Sequence, residues 1–224
     1  MKQVETHALV VFSGGQDSTT CLFSAIKTFD KVSAIGFDYG QNHSVEMQQA
    51  KLIADQLGID FKVFNLDVFT QLADSALVTG GEVDAKRKGS NLPASFVPNR
   101  NALFLTVAHA YAQKIGARTL VTGVCQTDYS GYPDCRLQFI KNLQETLNEG
   151  SDADIRISTP LMYLNKAQTF KLAEKLGCLA IIIQDTHTCY NGNRDPNKWG
   201  AGCGKCNACL LRENGYRAFV AGNH

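Results

Sequence analysis

The stretch Ser13-Gly14-Gly15-Gln16-Asp17-Ser18 lies between an apolar run, His7–Phe12, and a helical pattern that begins at Asp17. Gly14 and Gly15 let the backbone turn so that its N–H groups point outward, and the following helix adds the positive end of its dipole. Ser13 and Ser18 can add hydroxyl donors. Together these residues describe a cradle for a phosphate. The stretch lacks the Gly-Lys-Ser/Thr ending of a kinase-type loop. Asp17 would repel a phosphate unless it caps the helix or holds a bridging Mg²⁺. The plainer alternative is a Ser-Gly-Gly turn in which Asp17 is only a cap.

Two further helix starts carry a cation. "VPNRN" places Asn99 as an N-cap with Arg100 in the first turn, and "LNKAQ" does the same with Asn165 and Lys166. A cation there opposes the helix dipole at about 0.3–1 kcal/mol. A bound anion would remove the conflict; side chains bent into water would avoid it.

Cys189, Cys203, Cys206 and Cys209 read C-x13-C-x2-C-x2-C. Two-residue spacings let successive thiolates converge on one ion, and four thiolates make a closed tetrahedral zinc site with no position for substrate. Its expected role is structural, with one zinc per chain. The competing reading is an iron–sulfur cluster, though the fourth cysteine here lies upstream and no Cys-Pro follows. Cys21 and Cys178 fit helix or core positions. Cys125 and Cys135 flank a polar loop and could be reactive.

Strand and helix patterns alternate along the chain. Strands are expected at His7–Phe12, Val32–Tyr39, Phe61–Leu66, Thr119–Val124 and Ile155–Ser158. Helices are expected at Asp17–Thr28, Ser44–Leu57, Asn99–Ile115, Leu137–Asn148 and Asn165–Leu176. Ala180–Ile183 carries too short a pattern to assign. Residues 71–98 look irregular, with a glycine-rich, basic loop at Thr79–Asn91, and from Thr186 onward Cys, Gly and Asn dominate. Such alternation points to an α/β fold with a doubly wound parallel sheet, whose ligands sit at the carboxyl ends of strands where strand order reverses. The expected division is an α/β domain over 1–185 and a zinc-binding segment over 186–224.

Bulk properties bound the function. The chain has 224 residues, 44% hydrophobic and 19% charged, with a formal net charge of +1. No charge excess advertises nucleic acid or an acidic membrane. No apolar run approaches the ~20 residues of a membrane span, and the N-terminus does not read as a signal peptide. Eight cysteines without an export signal point to a reducing compartment, so a cytoplasmic location is expected.

"SGGQDS" resembles the signature of the PP-loop ATP pyrophosphatase superfamily, whose members cleave between the α and β phosphates of ATP. "FDYGQNH", "FVPNRN", "TGVCQTDYSGYPDCR", "TPLMYLNK", "THTCYNG" and "CGKCNACLLR" together resemble the QueC-type 7-cyano-7-deazaguanine synthase family of queuosine biosynthesis, in order and over nearly the whole chain. Two departures stand out. Asn99 replaces a glycine that the family commonly has, and the gap between Cys189 and Cys203 is long. Neither removes a ligand or a cation.

The resemblance implies a sheet of order 3-2-1-4-5 and an ATP site formed by Phe12, Ser13, Gly14, Gly15, Gln16, Asp17, Ser18, Thr19, Thr20, Cys21 and Leu22. Asp38 would face the ATP ribose or adenine, or merely cap its strand. The implied reaction joins 7-carboxy-7-deazaguanine and ammonia through adenylated acid and amide intermediates. In it Asp17, Arg100 and Lys166 act with Mg²⁺ on the phosphates. Asp128 and Asp134 are candidates to accept from the deazaguanine edge, Tyr129 and Tyr132 to stack on its ring, and Arg136 to meet its carboxylate. An ordinary Gly-Pro loop with self-satisfied aspartates is the alternative. The family also suggests a homodimer. Two other functions fit less well. A PP-loop tRNA thiolation enzyme would hold RNA with the cysteine module, yet residues 189–217 carry only five Lys/Arg against two acidic side chains. A non-catalytic zinc adaptor would leave the charges at the two helix starts without purpose.

Overall fold

In β1 (His7–Val11), Ala8, Leu9 and Val10 are fully buried, as a strand covered on both faces requires. The computed structural model describes residues 6–40, 45–68, 96–127 and 132–223. β1 pairs in parallel with β2 (Lys31–Asp38) on one side and β4 (Thr119–Val121) on the other, so that Val10 lies between Ala34 and Val121. β3 (Asp60–Asn65) and β5 (Arg156–Ser158) complete a five-stranded sheet of order β3-β2-β1-β4-β5. The order reverses between β1 and β4. The crevice at their carboxyl ends is where a doubly wound sheet takes its ligand.

Side-chain alternation divides the core. Leu9, Ile35 and Leu120 point to one face and pack with Leu105, Ala108 and Ala112 of α3 (Arg100–Ile115) and Ile140 of α4 (Leu137–Ser151). Ala8, Val10, Ala34 and Val121 point to the other. They pack with Cys21, Leu22 and Ala25 of α1 (Gln16–Thr28) and Ala50, Ile53 and Ala54 of α2 (Val45–Leu57). α5 (Lys166–Leu176) starts with a capping box: the Asn165 side chain accepts from the Gln168 N–H, and Gln168 accepts from the Asn165 N–H.

The expected elements recur with ends moved by one to three residues, the scale on which helix and strand ends fray. Two differences are larger. Ala180–Ile183 lies within a short helix, α6 (Leu179–Gln184). The Cys-, Gly- and Asn-rich tail contains a full helix, α7 (Asn207–Val220), which packs on α5 by setting Tyr216 and Phe219 around Phe170 at ring distances of 5.5 and 5.9 Å. Most of the irregular 71–98 stretch, including the whole Thr79–Asn91 loop, lies outside the described residues. Among the described residues no helix is long and apolar enough to cross a membrane.

Candidate active site and metal centre

The Ser13–Ser18 loop sits just beyond β1 and is shaped by its own hydroxyls. Ser18 Oγ accepts from the Ser13 N–H at 3.2 Å and lies 3.1 Å from Ser13 Oγ, while Ser13 Oγ accepts from the Gly15 N–H at 3.4 Å. Gly14 has φ +77°, and a Cβ there would meet the Ala50 nitrogen at 2.6 Å and the Glu46 carbonyl oxygen at 2.7 Å. The loop thus rests directly on α2, which only glycine permits at that position. From the β4 side Gly123 also approaches, less tightly: its Cβ would lie 3.1 Å from the Asp17 carbonyl carbon. Within the expected ATP segment, Phe12, Thr19, Thr20, Cys21 and Leu22 are at most 1% exposed and form the floor under the loop. Gln16 is buried too, whereas Ser13 is exposed and Gly15 and Asp17 are half-buried.

Asp17 is not the cap of α1. Gly15 occupies that position without a side-chain hydrogen bond. Asp17 Oδ2 instead pairs with Lys166 Nζ at 2.5 Å, with side-chain exposures of 27% and 12%, and Asp17 Oδ1 is buried with no hydrogen-bond partner. Arg100 opens α3 behind Asn99, which is at the N-cap with φ 58° but makes no side-chain cap bond. The capping is done from elsewhere: buried Asp134 accepts the Asn101 N–H through Oδ2 at 3.1 Å. A carboxylate of the protein therefore stands at each cation-bearing helix start, where the sequence reading looked to a bound anion for relief. The Arg100 guanidinium lies 5.9 Å above the Tyr39 ring. Burial works against its charge, but the oxygens of Tyr39, Tyr132, Tyr190 and Asp134 outweigh burial and hold it protonated.

Glu46, half-buried at the start of α2, joins this group. Burial raises its carboxyl to about 7, against the opposing pull of Arg100. Its folded pKa lies above its ordinary value of 4.5, so the stability it contributes is fully present below pH 4.5 and is lost as pH rises through about 7. Replacing Glu46 by Gln should stabilise the protein more at pH 8 than at pH 5.5, by on the order of 1 kcal/mol after allowance for solvent screening. Urea denaturation at the two pH values checks this; a gain that does not grow with pH would mean that the carboxylate is well solvated.

The other expected substrate contacts are spread differently. Asp128 and Tyr129 lie outside the described residues. Tyr132 stands 5.6 Å from Phe96, ring to ring, just before the 3-10 turn Pro133–Cys135. Arg136 is exposed at the N-cap of α4. Asp38 is exposed at the end of β2 and accepts the Gly40 N–H at 3.2 Å, the geometry of a strand-end cap. Cys125 donates to the Leu164 carbonyl at 3.0 Å, and the Asn101 side chain donates to Cys135 Sγ at 3.3 Å. Cys21 and Cys178 are fully buried.

The sulfurs of Cys189, Cys203, Cys206 and Cys209 all lie within 4.8 Å of one another, and Cys203 Sγ is 3.9 Å from Cys209 Sγ. Four thiolates ~2.3 Å from a tetrahedral zinc would stand about 3.8 Å apart, so the four fit one ion of that kind. The N–H groups of Lys205 and Cys206 both donate to Cys203 Sγ at 3.4 Å, which favours a thiolate there. Hydrogen bonding from Cys209 lowers the Cys206 thiol to about 5. The cysteine module is tied to the Ser13–Ser18 loop. The His187 N–H donates to the Gly14 carbonyl at 3.0 Å, and His187 Nε2 lies 3.0 Å from the Cys189 carbonyl. Arg212 is fully buried and donates to the Trp199 carbonyl at 2.9 Å, Thr188 Oγ1 at 2.8 Å and the Ile182 carbonyl at 2.5 Å.

Residues 7–220 match the family described as "Queuosine biosynthesis protein QueC". The chain belongs to the QueC family. The 7-cyano-7-deazaguanine synthase of Wolinella succinogenes is 55% identical over 220 residues, covering 96% of this chain and 94% of that protein. That of Helicobacter pylori strain P12 is 50% identical over 219 residues, with 95% of each chain covered. Among solved structures, a 4-thiouridine synthetase in complex with RNA and ATP is 18% identical and superposes with a TM-score of 0.53, over 96% of this chain and 52% of its own. At that identity the likeness is one of fold.

Several residues of this QueC chain stand at the site without having been singled out beforehand. Glu46 and Tyr190 surround Arg100, Gly123 backs Asp17, and His187 and Arg212 join the cysteine module to the loop. The signal for His187 was present in "THTCYNG", where it precedes Cys189 by two residues. For Glu46 there was none, because a glutamate in the first turn of a helix is commonplace.

Proposed function

We propose that the chain is an ATP-dependent ligase converting 7-carboxy-7-deazaguanine and ammonia to 7-cyano-7-deazaguanine. The observation that carries this reading is the match of residues 7–220 to the QueC family, and the Lys166–Asp17 pair beside the Ser13–Ser18 loop, where strand order reverses, supports its ATP half.

A carboxylate is a poor acyl donor because its leaving group would be oxide. Attack of its oxygen on the α phosphorus makes an acyl-adenylate and releases pyrophosphate. Ammonia adds to the acyl carbon, AMP leaves, and a proton is lost, which gives the amide. The amide oxygen then attacks the α phosphorus of a further ATP and releases a second pyrophosphate, and loss of AMP and the two amide protons leaves the nitrile. The chain's task is to grip the leaving pyrophosphate, which explains a loop without the kinase lysine. Backbone N–H groups of the loop and the positive end of α1 would hold its oxygens, and Lys166 and Arg100 would stabilise charge building on the bridging oxygen. The buried, unpartnered Asp17 Oδ1 suits Mg²⁺, which when bound would neutralise triphosphate charge. Asp128 or Asp134 would read the deazaguanine edge, Tyr129 and Tyr132 would stack on it, and Arg136 would meet the carboxylate. Asp38 would reach the ribose or adenine. Cys189, Cys203, Cys206 and Cys209 would hold one structural zinc. The enzyme would work as a cytoplasmic homodimer that takes free ammonia or receives it from a partner.

Incubation with the acid, ATP, Mg²⁺ and ammonium should yield the nitrile mass, with AMP and pyrophosphate in equal amounts. ADP as the dominant nucleotide product would refute adenylation.

A further inference from the structure

Lys166 is the first residue of α5, and α7 of the cysteine module lies against that start. Gly215, buried in the third turn of α7, faces it directly. A Cβ on Gly215 would stand 2.4 Å from Lys166 Cβ, 3.1 Å from its carbonyl carbon and 3.3 Å from its Cα. All three atoms belong to the backbone or are fixed by it, so no rotamer change opens the space. Glycine inside a helix is less favourable than alanine. Propensity therefore argues against Gly215, and the approach to Lys166 argues for it. The four-cysteine cluster and Gly215 share one helix. Cys206 is the N-cap of α7 and Cys209 lies in its first turn, and six residues of helix, about 9 Å of rise, separate Cys209 from Gly215. The same module touches the other side of the cradle through His187 and Gly14.

We propose that Gly215 is a positioning residue for Lys166: its missing side chain lets the cysteine module seat the start of α5 so that the Lys166 ammonium meets Asp17 at the phosphate loop. The inference rests on the assignment of that loop as an ATP site and not on nitrile formation.

The test uses the full, metal-loaded chain. ATP affinity in Mg²⁺ is measured by calorimetry for the wild type, Gly215→Ala, Lys166→Met and the double variant, alongside metal content and Tm. Gly215→Ala should keep its metal and stay folded with a lowered Tm, and bind ATP about tenfold more weakly, the scale of one charge-assisted contact. In the Lys166→Met background it should change affinity little, because both substitutions act on the same group. Unchanged affinity in Gly215→Ala, or an equal loss in both backgrounds, overturns the proposal. If Gly215→Ala does not fold, adding Lys166→Gly removes the nearest atom and should restore folding; continued failure overturns it as well. A wild type that binds no ATP refutes the ATP-site assignment and this proposal together. A wild type that binds ATP but makes no nitrile refutes only the reaction.

Discussion

Replacing Asp17 by Asn should lower ATP-dependent turnover by on the order of 10²- to 10³-fold, the scale of losing one preorganised electrostatic element, while the protein stays folded. Asp17 does two things that an amide cannot. It holds Lys166 Nζ at 2.5 Å, and it presents a second oxygen, buried and without a protein partner. The stability cost is smaller. Exposed ion pairs contribute about 0–1 kcal/mol, whereas breaking a fully buried one costs about 3–5. Side-chain exposures of 27% and 12% put this pair between those limits. Chromatography of the spent nucleotide and a thermal melt separate the two roles. An Asn variant that melts early yet turns over at the wild-type rate would make Asp17 a structural partner of Lys166 and nothing more.

Replacing Cys206 by Ser should abolish stoichiometric metal and disorder the C-terminal module. Structural zinc sites contribute on the order of 10 kcal/mol of apparent binding free energy that is also folding free energy, comparable to the whole stability of a domain. Between Cys189 and Cys203 the chain forms little regular structure, and the buried side chains packed there are mostly the cysteines themselves and Trp199. Without an ion this stretch would rest on turn hydrogen bonds and on the Arg212–Trp199 contact, with little apolar burial behind them. Elemental analysis should give one zinc per wild-type chain and none in the variant. Replacing Cys125 by Ser should leave the metal in place. Stoichiometric iron with labile sulfide in the wild type would overturn the zinc assignment.

The parallel sheet was readable from the alternation of strand and helix patterns, led by β1, whose apolar run ends at polar Ser13; β3, Asp-Phe-Lys-Val-Phe-Asn, and β5, Arg-Ile-Ser, carry weaker signals. The loop after β1 was readable because its glycines and hydroxyls are local chemistry. The cysteine spacing identified a ligand set, and the four sulfurs do converge. What escaped were features made by distant segments. α7 was hidden because its buried face is Ala208, Cys209, Arg212 and Gly215, which carries almost no apolar periodicity. Arg212 entered the sequence reading only as one of five basic residues in the tail, and only the folded chain surrounds it with carbonyls from Ile182 and Trp199. Arg100 and Lys166 do open helices, but the carboxylates at those starts come from far along the chain: Asp134 accepts the Asn101 N–H across 33 residues and Asp17 meets Lys166 across 149, contacts that no local pattern encodes.

The hydrogen bond from His187 to Gly14 joins residues 173 positions apart. Ribosomes add about 5–20 residues per second, so on a nascent chain the Ser13–Ser18 loop waits roughly ten to thirty seconds before the segment that braces it has been made. The cysteines that would fix that segment come later still. If those cysteines hold an ion, a cell short of it would complete the sheet of each new copy and leave the Ser13–Ser18 loop unbraced. Supply of the ion, and not the rate of translation, would then set how many finished chains become able to work.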